Sequence, residues 1–140
     1  MIFHIKTSSV KIQEKDLSLV FGYIGGIITN LSGVSIAIGG GCDHIHILAS
    51  LPKMMSLADF VRVIKSSSSK WIKTIDARYK MFSWQDGYGA FSVSSTLLDK
   101  TINYIRSQEE HHKKQSVRAE YKVFLDAYQI EYDDQYVFED

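Results

Sequence analysis

Three consecutive glycines, Gly39, Gly40 and Gly41, stand between two apolar runs and leave the chain little alternative to reversing direction there. Before them Val34, Ile36 and Ile38 alternate with small residues, which predicts a β-branched strand over residues 34–38. After them comes Cys42-Asp43-His44-Ile45-His46-Ile47-Leu48-Ala49-Ser50-Leu51, closed by the chain's single proline, Pro52. Side chains alternate along a strand, so Ile45, Ile47 and Ala49 form one apolar face suited to lie under helices, while His44, His46 and Leu48 point the other way. Two imidazoles at i and i+2 stand roughly 7 Å apart at ~3.3 Å per residue, close enough to share one metal ion. Imidazole is the commonest protein metal ligand. The same spacing equally suits two half-buried histidines hydrogen-bonded within a sheet, and this stretch alone does not choose between the two.

The periods on either side of the hairpin give an element order. Residues 2–6 read as a short strand that begins abruptly. Glu14, Lys15 and Asp16 offer acidic residues for a helix start. From Leu17 the apolar positions Val20, Ile24, Ile27, Ile28 and Leu31 recur at helical steps. Gly25 and Gly26 interrupt that helix, as for close packing on a sheet, and Asn30 and Gly33 supply its stop. After Pro52, Ser56 with Asp59 three residues on resembles a capping box. The helix behind it is expected to bury Leu57, Phe60, Val61, Ile64, Ser68, Trp71, Ile72 and Ile75, keeping the four serines at 66–69 within its period. Residues 82–94 predict a turn at Asp86-Gly87 followed by a strand. Strand, helix, strand, strand, helix, strand is the split βαβ, ferredoxin-like pattern: an α+β fold with an antiparallel sheet and helices on one face. Its first and third strands are central, which places the histidine pair mid-sheet on the open face.

Beyond this unit, expected to occupy residues 1–95, Leu98, Ile102 and Ile105 mark the packed stripe of a helix over about 96–113, and Val117, Tyr121, Phe124 and Leu125 mark another over about 116–128. Residues 129–140 form an acidic tail, the whole making one domain of 140 residues. No apolar run approaches the ~20 residues that span a bilayer, and residues 1–6 lack a signal-peptide pattern. With its single cysteine, Cys42, the chain fits a reducing cytoplasm, and a small buried turn residue is the expected role of that thiol. Formal net charge is zero, but six acids and no Lys or Arg fall after residue 125. Ten acids against sixteen basic residues leave residues 1–125 at a formal +6, a balance permissive of a phosphate-binding face.

Candidate DNA contacts follow from that charge. Arg62, Lys65, Ser69, Lys70 and Lys73, with Ser66, share one side of the second helix and match the lysine, arginine and hydroxyl chemistry of phosphate contacts, although a solvated helix face has the same composition. Trp84, Tyr88 and Phe91 are candidates for stacking on unpaired bases or for the core. Tyr104 and Gln108, four apart, are neighbours on one helix face. If that face meets the open side of the sheet, the phenol approaches the histidines and the Gln108 amide oxygen becomes a further ligand. A phenol with pKa about 10 needs a polarised electrophile, which a metal on a phosphoryl oxygen provides. Spacing alone does not single out Tyr104 among the eight tyrosines. Asp43 could orient an imidazole, but alternation turns it away and a turn role fits as well; Glu109, Glu110, His111 and His112 suit a solvated helix end or extra contacts.

Four motifs in order select among these options: Asp-His-Ile-His with Leu-Ala-Ser-Leu-Pro, Ile-Lys-Ser-Ser-Ser-Ser-Lys-Trp-Ile, Trp-Gln-Asp-Gly-Tyr-Gly-Ala-Phe-Ser-Val, and Tyr-Ile-Arg-Ser-Gln-Glu-Glu-His-His-Lys. Together they resemble the single-tyrosine HUH transposases of bacterial insertion sequences, the IS200-like and REP-associated group, from about Leu17 to the tail. The resemblance implies His44 and His46 as ligands of Mg²⁺ or Mn²⁺, Gln108 as the third ligand and Tyr104 as the nucleophile. It also implies single-stranded DNA hairpins as substrate, a covalent 5′-phosphotyrosine intermediate with a free 3′-hydroxyl, and a cytoplasmic bacterial homodimer whose tyrosine helix acts in trans. The family's first strand has residues ahead of the segment matching Ile2-Phe3-His4-Ile5-Lys6, so the expectation here is either a central strand short at its start, which bears on stability and activity more than on the fold, or a true start that lies upstream. A domesticated relative that processes chromosomal repeat hairpins, and a non-catalytic nucleic-acid-binding module of the same fold, are the alternatives.

Overall fold

The computed structural model describes residues 1–107. Its elements are β1 (Ile2–His4), α1 (Leu17–Asn30), β2 (Val34–Gly40), β3 (His44–Ser50), α2 (Leu57–Ile75) and α3 (Leu98–Arg106). The three strands form an antiparallel sheet in the order β1-β3-β2, so β3 is central. The glycine turn closes the β2–β3 hairpin. Gly40 has φ of +147°, and a Cβ there would collide with the His44 carbonyl oxygen, so the turn tolerates no side chain at that position.

The two faces of the sheet are covered differently. Phe3 and Ile5 from the β1 segment and Ile45 and Ile47 from β3 pack against Val20, Ile24 and Ile28 of α1 and Phe60, Ile64 and Ile72 of α2. The helices also meet through Tyr23 and Trp71, whose rings stack in parallel 4.2 Å apart. α2 starts where Ser56 Oγ accepts from the Asp59 N–H at 3.1 Å, the expected cap. The serines at 66–69 lie inside it, with Ser68 buried and accepting from Trp84 Nε1 at 3.0 Å. On the opposite face Ala37, Leu48 and Ile105 make a small second cluster under α3. This is the α+β, ferredoxin-like arrangement expected from the sequence.

Four details differ from the sequence reading. The segment 82–94 is no regular strand: its bridges to β1 and its extension are the isolated pairs Ile5–Trp84 and Ile2–Gly89, with two more residues between them on its side than on the other. The excess bulges outward, a common fate of sheet edges. Gly25 and Gly26 are not required for close packing, since a Cβ at Gly25 would meet nothing nearer than 3.7 Å and one at Gly26 nothing within 4 Å. The left-handed residue that ends α1 is Ser32, with φ of 69°, while Gly33 donates to Ile28 O and lies so near Ser50 that a Cβ would sit 2.9 Å from its carbonyl oxygen. Leu57, expected in the core, is exposed on the first turn of α2. The helix expected over 116–128 and the acidic tail lie outside the described residues. Among the described residues no helix is long and apolar enough to cross a membrane.

Candidate functional site

The side of β3 turned away from α1 and α2 carries His44 and His46, both almost fully buried. Their ring centroids are 5.1 Å apart with the planes nearly perpendicular. The Asp43 carboxylate curls back to His44, Oδ1 standing 3.1 Å from Nδ1. Strand alternation had left Asp43 with a turn role at least as fitting, but the residue precedes the first strand position, where the backbone still turns and lets a short carboxylate reach its neighbour. An acceptor at Nδ1 assigns the proton to that nitrogen and leaves Nε2 with its lone pair. Carboxylate–imidazole pairs of this kind orient metal-binding histidines, so the donor chemistry fits a divalent ion; among the described residues no group of three or more His, Cys, Asp or Glu completes such a site. Gln108, expected as the third ligand, lies outside the described residues, as do Glu109, Glu110, His111 and His112.

α3 supplies the phenol. Its Ile105 fills the space over Ala37 and Leu48, and Tyr104, half-buried, holds its ring 5.6 Å from that of His46 and nearly perpendicular to it. The chain's own tyrosine therefore stands beside its own histidine pair. The approach depends on Gly39, the β2 partner of His46. A Cβ at that position would collide with the Ile105 carbonyl oxygen and lie 2.9 Å from Ile105 Cγ2. Backbone meets backbone here, in a way only glycine permits.

His4, which no sequence pattern singled out, is a third imidazole on this face. It pairs across the sheet with His44 and is buried, its Nδ1 donating to Ile5 O at 2.7 Å. The available signal was alternation in β1: if Phe3 and Ile5 face the helices, His4 must face the histidines. Behind it, the edge bulge is held by side chains. Gln85 donates its backbone N–H to His4 O at 2.9 Å and accepts the His4 N–H on Oε1 at 2.8 Å, so its amide replaces the strand acceptor that the bulge removed.

Lys65 serves the same bulge. Its Nζ donates to the carbonyls of Gln85 at 2.5 Å, Asp86 at 3.2 Å and Gly87 at 2.9 Å. All three ammonium protons are thereby engaged, and burial pushes its pKa down against the opposing pull of Asp86. In this structure the lysine caps the bulge through those three carbonyls. The other candidate DNA contacts ride on α2, which lies behind the sheet, and do not converge on the histidine face. Arg62 pairs with Asp59 at 3.6 Å, Lys73 donates to Ser69 Oγ at 3.2 Å, and Lys70 is exposed. Trp84 belongs to the core, edge-on to Phe3 and Phe82; Tyr88 is exposed at the bulge; Phe91 is half-buried beside β3. Cys42, expected to be buried, is exposed because the turn projects past the sheet. Partial desolvation and then the Asp43 and Glu14 carboxylates push its thiol up, so it is no activated nucleophile.

Residues 1–108 match the family model described as "Transposase IS200 like". Among solved structures, a Deinococcus radiodurans protein assigned as a transposase superposes with a TM-score of 0.58 at 18% identity, over 76% of this chain and 86% of that one. That likeness supports the fold. No curated protein matches the chain in sequence.

Proposed function

The chain belongs to the IS200-like transposase family, and from that premise we propose that it cuts and rejoins single-stranded DNA at hairpin-flanked sites through Tyr104, with a divalent metal bound by His44 and His46. The observation that carries this reading is the placement of the Tyr104 ring against His46, beside a His44 whose Nδ1 is held by Asp43. A phenol, an oriented imidazole pair and a sheltered face are the parts that a phosphodiester transfer needs.

In this reading Asp43 orients the His44 ring, and His44 together with His46, next to the phenol, would hold the ion. Mg²⁺ or Mn²⁺, when bound, would neutralise charge on the phosphoryl oxygens, with Gln108 as a third ligand. α3 presents Tyr104, whose oxygen forms a bond to phosphorus as the bond from phosphorus to the 3′ oxygen breaks. The phenol proton and the electron pair of the broken bond both end on that 3′ oxygen. The products are a 5′-phosphotyrosine and a 3′-hydroxyl, and no water or nucleotide is consumed. Because the ester energy is retained, a second 3′-hydroxyl can reverse the step and join new ends.

Hairpin-bearing single strands taken from the DNA flanking this chain's own gene, incubated with the protein and Mn²⁺, should yield a covalent protein–DNA adduct that migrates as one species on a denaturing gel. Saturating binding with no adduct would leave only the non-catalytic module. The Tyr104 ring stands 5.6 Å from that of His46 in its own chain. Exchange of α3 between two copies would build the same set in trans. Mixing Tyr104→Phe with His46→Ala chains separates the two, since an adduct from the mixture requires an exchanged helix.

A further inference from the structure

A groove of about 360 Å³ runs between the polar side of α2 and the edge bulge, on the side of the sheet turned away from the histidines. We propose that it seats a nucleotide of a single DNA strand, the base against Tyr88 and the phosphates along Arg62, Ser66 and Ser69. The inference rests on the reading above and gives the substrate a second holding point, away from the phosphate that Tyr104 attacks.

Three observations lead there. First, the α2 wall is a line of donors. Arg62, Ser66 and Ser69 fall four and three residues apart on one side of the helix and all border the groove, a row about 10 Å long at 1.5 Å per residue. Lys73 extends it, its Nζ donating to Ser69 Oγ at 3.2 Å. Arg62 meets Asp59 at 3.6 Å in an exposed pair. Such pairs are worth little in water, so the guanidinium is able to turn to a phosphate. The carboxylate on the opposite wall, Asp86, leans to Lys6 at 4.0 Å. Second, the bulge offers a ring. Tyr88 is 40% exposed at the groove, whose floor is the buried pair Val61 and Trp84. A cationic track beside an exposed aromatic ring is how proteins hold single strands without reading their sequence.

Third, the bulge carries a donor left over by the fold. Gln85 is buried, lines the groove and accepts the His4 N–H on Oε1 at 2.8 Å. That bond settles which end of the amide is oxygen and leaves Nε2 on the side of Gly87. Nε2 donates to no other group among the described residues, and a phosphate or base oxygen in the groove would complete it. Because the same amide holds β1 at His4, a strand seated here lies one sheet edge from the histidine face.

The test reads binding with the full Tyr104→Phe chain and adduct with the unsubstituted one. The probes are the flanking-DNA hairpins already described, bare or carrying a single-stranded arm of about 12 nucleotides on the 5′ or the 3′ side, within the reach of a strand-binding groove. Fluorescence anisotropy should show one arm tightening binding by about 10-fold. Tyr88→Ala and Ser66→Asp, both at exposed positions, should each remove most of that gain. Arg62→Ala should remove it too, and should flatten the dependence of log Kd on log salt by about 0.7, the share of one phosphate on a single strand. Lys80→Ala deletes an equal charge from exposed surface outside the groove and should leave the gain intact. 5-Iodouracil in the same arm should crosslink to Tyr88. No gain from either arm, a gain that survives the three groove variants or that Lys80→Ala removes equally, or one that persists when a complement is annealed to the arm, would overturn the groove; adduct formed alongside would leave the transferase reading standing. A gain lost in the groove variants, in a chain that makes no adduct with any strand, would keep the groove and overturn the transferase. Neither gain nor adduct would end both.

Discussion

The seven residues of β3 serve two faces that obey different rules. Ile45 and Ile47 on one side are held by many apolar neighbours from two helices, any one of which contributes a modest share. His44 and His46 on the other side meet specific partners, among them the Asp43 carboxylate, the Tyr104 ring and a glycine that lets α3 descend. The first face is redundant and tolerates error in degree. The second is sparse, and each of its parts has a separate consequence. Damage to the helix face should therefore cost stability and spare the chemistry, whereas damage to the histidine face should do the reverse.

The widest separation comes from a pair of variants. Tyr104→Phe keeps the half-buried ring and removes only the hydroxyl, so adduct formation should vanish while stability stays within about 1 kcal/mol. Ile64→Ala removes a fully buried side chain from the helix-side core and should cost about 3 kcal/mol in denaturant unfolding. At low temperature the folded fraction of that variant should still form adduct at the normal rate. If Ile64→Ala lost chemistry out of proportion to its folded fraction, the two faces would not be separable.

Gly39→Ala tests the seam between them. The new methyl meets the Ile105 carbonyl, a backbone group that no rotamer change can move. The helix must lift, at a cost of about 1–3 kcal/mol, and it carries Tyr104 with it. Adduct formation should fall further than the stability loss explains, and the ratio of the two measures how tightly α3 must dock. Asp43→Asn is the next step down. It keeps the size of the side chain and a carbonyl acceptor for His44 Nδ1 but removes the charge, and a 10–100-fold loss of metal affinity is the usual scale for such a partner. Calorimetric titration with Mn²⁺ reads it directly, and unchanged affinity would reduce Asp43 to a turn residue.

The same contrast explains what the sequence could show. Core positions are legible because they repeat: Val20, Ile24 and Ile28, or Phe60, Ile64 and Ile72, announce a helix face by spacing alone, and the glycine turn with its flanking strands announces a hairpin. The histidine pair was visible as two imidazoles on one strand face, but the choice of Tyr104 came from family likeness, because no local rule distinguishes it from other tyrosines. The bulge was not legible at all. Gln85 acts on His4 from 81 positions away, and Lys65 looks like any basic residue on a helix until the three carbonyls that hold it are seen. Asp43 was misleading for a different reason, since alternation governs strands and fails one residue before they begin.

The smallest effect expected lies where the two faces meet. The Met1 amine donates to Ile47 O at 2.7 Å, on the backbone of the strand whose side chains divide between core and site. Burial lowers its pKa from 8.0 to about 6, so the native chain favours the neutral amine. Between those values the unfolded chain binds the extra proton and the native chain does not; stability must therefore rise with pH across the window and be lost as pH falls through it. The full difference is about 3 kcal/mol. Histidines titrate in the same range, so the measurement is a comparison of urea unfolding at pH 6 and pH 8 for the free and the N-terminally acetylated chain. Acetylation removes the proton site, and only the part of the pH dependence that disappears with it belongs to the amine. Equal slopes in the two forms would mean that this end of β1 opens to water in solution.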